Sequence, residues 1–209
     1  MDIILAILYQ IETKKQGLTM SKKYILLLGV LSALLFHGCS DSKKEGSNTS
    51  ANANQMIATT DFKLKGLDDK EYLVKKSGQN FTLDGAGEKI VIFDIFATWC
   101  PPCRAAAKHL SSLQEKYKEN LIVIGITIED KVANEKLKEF ASTYKANYVL
   151  VNSEQNRRLS DAIVKELNLG ERYPIPTMAM YKNGQLINHY VGATEEEFIE
   201  RDIKNALGK

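Results

Sequence analysis

Residues 89–103 read KIVIFDIFATWCPPC. Lys89 to Phe96 is almost continuously apolar, the pattern of a central strand buried on both faces rather than one alternating between core and water. Beyond the cysteines, Ala106, Leu110, Leu113 and Tyr117 mark one face of a 3.6-residue period, so a helix follows. Cys100 and Cys103 therefore stand where a buried strand hands over to a helix. A helix N-terminus carries unpaired N–H groups and about half a positive charge, which stabilises a thiolate. Lowering a thiol pKa from about 8.5 to about 7 raises its ionised share at pH 7 from roughly 3% to about 50%. The thiolate is the nucleophile of disulfide exchange. Cys100, nearer the helix start, is expected to be the exposed attacker and Cys103, one turn in, the resolving thiol. Pro101 and Pro102 fit the first turn, where their missing N–H groups are not needed. They also remove donors from the sulfur, which tends toward a reductant.

Working outward, Leu121 to Ile128 reads as a second buried strand and Val132 to Lys145 as a helix turning Leu137, Phe140, Ala141 and Tyr144 inward. Tyr148 to Val151 is a short strand. Ser153 is expected to cap a helix through Leu159, Ile163 and Leu167, with Gly170 just past its end. Thr177 to Tyr181, Asn183-Gly184 and Gln185 to Val191 give a hairpin signal. Thr194 and Glu197 fit a capping box before a last helix with Phe198, Ile199, Ile203 and Leu207 apolar. Upstream, Phe62 to Val74 and Asn80 to Leu83 read as short strands with glycine-containing turns. The sum is an α/β fold: a central mixed sheet flanked by helices, behind an N-terminal β extension.

The chain has 209 residues, 44% apolar, with net charge +2. That balance gives no reason to expect nucleic acid or an acidic substrate. Of the three cysteines, only Cys39 lies away from the pair. A c-type haem site needs C-x-x-C-H, and Arg104 follows here. A zinc site needs four ligands, and no second cysteine pair exists. An inert structural disulfide remains an alternative, although so short a loop contributes little entropy. No cofactor or metal is called for.

Residues 21–39 begin with Ser21-Lys22-Lys23, continue through the apolar run Tyr24 to Phe36 and end in Cys39. A basic start, a short apolar stretch and small residues at the end make a secretory signal. The run is shorter than the ~20 residues a transmembrane helix needs. Met20 directly precedes it and is read as the true start, with residues 1–19 an upstream over-extension of the reading frame; a real upstream extension is the alternative. The ending resembles the lipobox of bacterial lipoproteins, which implies lipidation of Cys39; plain cleavage would instead release a soluble product. Residues 40–55 lack large apolar side chains and are expected to be a flexible tether spanning roughly 20–24 Å. The folded domain is expected over 56–209.

DIFATWCPPC at 94–103 and IPTMAMYKNGQLINHYVG at 175–192 resemble the active-site segment and the cis-proline hairpin of thioredoxin-fold proteins. The Ala-Thr-Trp-Cys-Pro-Pro-Cys string is similar to that of TlpA/ResA-like periplasmic lipoproteins. The resemblance covers about 150 residues. It implies an αβ insertion at about 129–153, a redox disulfide between Cys100 and Cys103, a cis Pro176 facing them, and an Ile175 backbone that pairs with substrate. Trp99 would shield the disulfide, with core packing the alternative. Asp94 is costly in an apolar strand unless it has a task. Burial is expected to raise its pKa. The resemblance to thioredoxin implies that it takes the proton of the resolving thiol; a hydrogen-bonded structural carboxyl is the alternative.

The implied activity is that of a protein-disulfide oxidoreductase in the periplasm, lipid-anchored to a membrane. Its implied partners are protein disulfides such as apocytochrome c, and a transmembrane electron donor of the DsbD/CcdA type. Three other readings stay open: an oxidase or isomerase using the same residues, a peroxidase with a peroxidatic cysteine in another loop context, and a lipoprotein module that binds without turnover.

Overall fold

The computed structural model describes residues 59–209. The signal segment, Cys39 and the expected tether lie outside the described residues. The chain runs β1 (Thr59–Lys65), β2 (Glu71–Ser77), β3 (Asn80–Leu83), β4 (Ile90–Phe96), α1 (Pro101–Lys116), β5 (Leu121–Thr127), α2 (Asn134–Tyr144), β6 (Val149–Val151), α3 (Asn156–Glu166), β7 (Thr177–Lys182), β8 (Gln185–Val191) and α4 (Glu196–Ala206).

All seven residues of β4 are buried. The reason is their place at the centre of a five-stranded sheet ordered β6-β5-β4-β7-β8. β4, β5 and β6 are parallel, whereas β7 runs antiparallel to β4 and β8 antiparallel to β7. The β7–β8 turn is Asn183-Gly184, with φ of 52° and 79°. Two successive positive φ angles are what a type I′ hairpin requires, and asparagine and glycine tolerate them best.

Alternation along β4 assigns its faces. Val91, Phe93 and Ile95 pack with α3 and with Phe62, Leu64, Val74, Phe81 and Leu83 of the separate β1-β2-β3 sheet. Ile90 and Ile92 pack on the other face with Leu110 and Leu113 of α1 and Ile199 and Ile203 of α4. Each fully buried aliphatic or aromatic side chain contributes about 1.5–3 kcal/mol, so helices on both faces hold β4 in place. A third cluster lies at the carboxyl end of β4. It joins Phe96, Ala97, both cysteines and Ala107 to Leu137 and Phe140 of α2.

The expected fold class is the observed one, and two local readings are corrected. The capping box is absent: Glu195 is the N-cap of α4 and makes no side-chain cap bond, while Thr194 Oγ1 turns back toward the Gly192 carbonyl. Ser153 does not cap α3, which starts at Asn156; its hydroxyl accepts from the Gln155 N–H and donates to the Lys63 carbonyl, tying the helix entry to β1. Phe198 is exposed, because it lies about 100° around the helix from the inward position of Ile199.

Candidate active site

The redox pair sits at the amino end of α1. Cys100 is the N-cap residue and Pro101 and Pro102 fill the next two positions. The first free N–H of the helix therefore belongs to Cys103, and it donates to Cys100 Sγ at 3.3 Å. The two sulfurs form a disulfide. The prolines thus leave one donor aimed at the sulfur where a proline-free turn offers more.

The expectation that Cys100 is broadly exposed is corrected: the residue is 2% exposed. A capping side chain must fold back over the helix end, and the loop before β7 closes over it. Cys100 Sγ lies 3.6 Å from the carbonyl oxygen of Ile175, and the Ile175–Pro176 peptide bond is cis. Trp99 projects instead, 58% exposed. Core packing does not account for it, and with Thr98 and Arg104 it lines a groove against Lys136, Glu139, Phe140, Thr143 and Tyr144 on the α2 side.

The loop ahead of the pair is fixed by a residue the sequence did not single out. Glu129, just past β5, accepts from the Thr98 N–H at 2.6 Å and the Thr98 hydroxyl at 3.0 Å. Lys136 on α2 donates to the same carboxylate at 2.7 Å. Burial pushes the Glu129 carboxyl up, but the bonds from Lys136 and Thr98 outweigh it and hold the group below the usual carboxylate range. Arg104 completes the clamp through Nε to the Thr98 carbonyl at 3.0 Å. Glu129→Ala strands the Thr98 N–H, and the expected cost is about 1–3 kcal/mol in urea unfolding at pH 7.

Asp94 is 1% exposed. Alternation puts it between Ile92 and Phe96, on the β4 face that carries α1. Desolvation pushes its carboxyl up to about 7, opposed only by a hydrogen bond from the Tyr148 hydroxyl to Oδ2 at 3.2 Å. Its other oxygen, Oδ1, has no hydrogen-bond partner among the described residues. The structure therefore brings Cys100, Cys103, Ile175 and Pro176 together, leaves Trp99 exposed and buries Asp94 on the β4 face that carries α1. Glu129 and Tyr148 are the additions.

The sequence profile of the AhpC/TSA family matches residues 57–186. The thioredoxin-like protein YneN of Bacillus subtilis is 32% identical over 92 residues, 44% of this chain and 49% of that one. The chain thus matches about half the length of that relative. Thioredoxin-1 of Drosophila melanogaster is 31% identical over 80 residues, 37% of this chain and 69% of that one. Among solved structures, a thiol:disulfide interchange protein of the thioredoxin family from Chlorobium tepidum superposes with a TM-score of 0.54. It is 22% identical, and the match covers 71% of this chain and 94% of that one.

Proposed function

Because this chain belongs to the AhpC/TSA family and to the thioredoxin family of thiol–disulfide oxidoreductases, we propose that it is a membrane-tethered periplasmic reductase of protein disulfides working through Cys100 and Cys103. The observation that carries this reading is the Cys100 sulfur at the amino end of α1, bonded by the Cys103 N–H and facing the Ile175–Pro176 loop.

In the reduced protein, the Cys100 thiolate attacks one sulfur of a target disulfide. The target S–S bond breaks, a mixed disulfide forms, and the departing sulfur takes a proton. The Cys103 thiol then gives its proton to Asp94 and attacks Cys100 Sγ. The second target thiolate leaves, and the protein ends with the Cys100–Cys103 disulfide seen here. Two electrons have passed from protein to target. Asp94 suits the acceptor role because burial keeps its proton affinity near neutrality, where a general base works best. The Ile175 backbone and the exposed face of Trp99 suit an extended substrate segment laid across the pair.

The signal and Cys39 support a lipid anchor. Such a reductant in an oxidising compartment needs electrons from elsewhere, which a transmembrane donor of the DsbD/CcdA type would supply. Apocytochrome c is one candidate target. Two measurements test this reading. Equilibration of the purified domain with dithiothreitol should give a potential near about −270 mV or lower; a value near about −120 mV would make it an oxidant. Cys103→Ser expressed in the native cell should accumulate targets covalently held on Cys100. Rapid peroxide consumption by that variant, or full activity without either cysteine, would sink the reductase.

A further inference from the structure

The contact between Tyr148 and Asp94 spans three adjacent strands. Asp94 on β4 is paired in register with Gly125 on β5, and Tyr148 immediately precedes β6, beyond β5. For the phenol to reach Asp94, its ring must lie across β5. Gly125 makes that possible. A Cβ there would meet Tyr148 Cε2 at 3.0 Å and Leu150 Cδ2 at 2.6 Å. Gly125 is not among the glycines with positive φ, so no backbone need explains a glycine in the middle of a buried strand. The space it leaves is shared by the Leu150 side chain and the Tyr148 ring, with the Phe96 ring at its border. Glycine at this register and tyrosine one strand over therefore form a single device, whose outcome is one hydroxyl at 3.2 Å from a buried carboxylate oxygen.

We propose that Tyr148, admitted across β5 by Gly125, is the positioning residue that sets the proton affinity of Asp94 and hence the pH at which Cys103 is activated. The inference rests on the reading of Asp94 as proton acceptor. A hydroxyl donating to a carboxylate favours the ionised form. It is the single hydrogen bond made by the Asp94 side chain among the described residues, since Oδ1 has none. Among the described residues, the surroundings supply no rival. β7 places Met178 opposite Asp94, β5 places Gly125, and α1 brings Cys103 and Ala107 over the neighbouring Phe96. Tyr148 also lines a groove of about 770 Å³ whose walls include Asp68, Lys118 and Lys138. None of these three shifts either group. Desolvation first, and the charge of Asp94 second, hold the phenol well above its ordinary pKa, so it remains a donor across the working range.

The test follows the Asp94 carboxyl carbon by NMR in ¹³C-aspartate-labelled reduced protein, beside the pH profile of disulfide exchange. Tyr148→Phe keeps the ring and removes the donor. Loss of a hydrogen bond to a charged group should raise the Asp94 midpoint by about one unit or more. The rising limb of the exchange profile should move by the same amount, making exchange at pH 7 about fivefold slower and restoring it at pH 9. Gly125→Ala should shift both in the same direction by displacing the ring. If Gly125→Ala does not fold, Tyr148→Phe decides alone. A midpoint in Tyr148→Phe equal to the wild type overturns the proposal, and so does a shifted midpoint with an unshifted exchange profile. Wild-type protein that exchanges no disulfides, with the midpoint still moved by Tyr148→Phe, sinks the reductase reading while leaving the Tyr148 control of Asp94 intact.

Discussion

Cys100→Ser is expected to slow reduction of a protein disulfide by at least ~10³-fold while leaving the unfolding midpoint within a few degrees of that of the reduced wild type. Serine is a far poorer nucleophile toward sulfur because its hydroxyl is not ionised at neutral pH and forms no S–S bond. The substitution changes little else: the Cys103 N–H can donate to a serine oxygen as it does to Cys100 Sγ, so α1 keeps an N-cap. Cys103→Ser should behave differently. The first attack proceeds, the mixed disulfide cannot be resolved, and one equivalent of target is bound per protein. Equal and complete inactivity of both variants, with no covalent complex in either, would contradict the assigned order of attack.

Asp94→Asn carries the second large effect, with two signs. If Asp94 takes the Cys103 proton, resolution of a mixed disulfide should slow by about tenfold or more at pH 7. Stability should move the other way. The folded-state pKa is pushed up to about 7 from an ordinary 3.8, so between those values the folded protein holds a proton that the unfolded chain has released. Stability is then full below about pH 4 and falls as pH rises through about 7. Over roughly three pKa units the loss is on the order of 4 kcal/mol at pH 8. Asparagine removes that penalty but buries an amide with its own unmet hydrogen bonds, offsetting about 1–3 kcal/mol. The expected net result is a variant more stable than the wild type by about 1–3 kcal/mol at pH 8, with the advantage gone by pH 4. Urea unfolding at the two pH values reads it directly. An advantage independent of pH would mean that Asp94 is not the buried proton holder described here.

Much of this architecture can be read from local pattern because the deciding signals are local. The apolar run of β4, the C-x-x-C at its end and the Asn183-Gly184 turn each lie within a few residues. The cost of an acid in β4 likewise pointed to Asp94. What escaped depends on chain segments that meet only in the fold. Burial of Cys100 comes from a loop 75 residues further on. The partner of Asp94 lies 54 residues away, across an intervening strand. Glu129 is 31 residues from the Thr98 amide it holds. One trace of these contacts was present: Gly125 interrupts the β-branched run of β5, and an isolated glycine in a strand marks a close approach by something else. The missing capping box shows the converse. Thr194 and Glu197 have the right spacing, yet the helix begins at Glu196, so the pair is out of register with the helix start.

Exchange requires Cys100 to be ionised and reachable in the reduced protein, and the rate of its alkylation against pH measures both at once. Iodoacetamide should modify reduced Cys103→Ser protein at Cys100 with a midpoint near about 7, well below the ~8.5 of an ordinary thiol. A midpoint at or above that of free cysteine, or no reaction until the protein is unfolded, would contradict it.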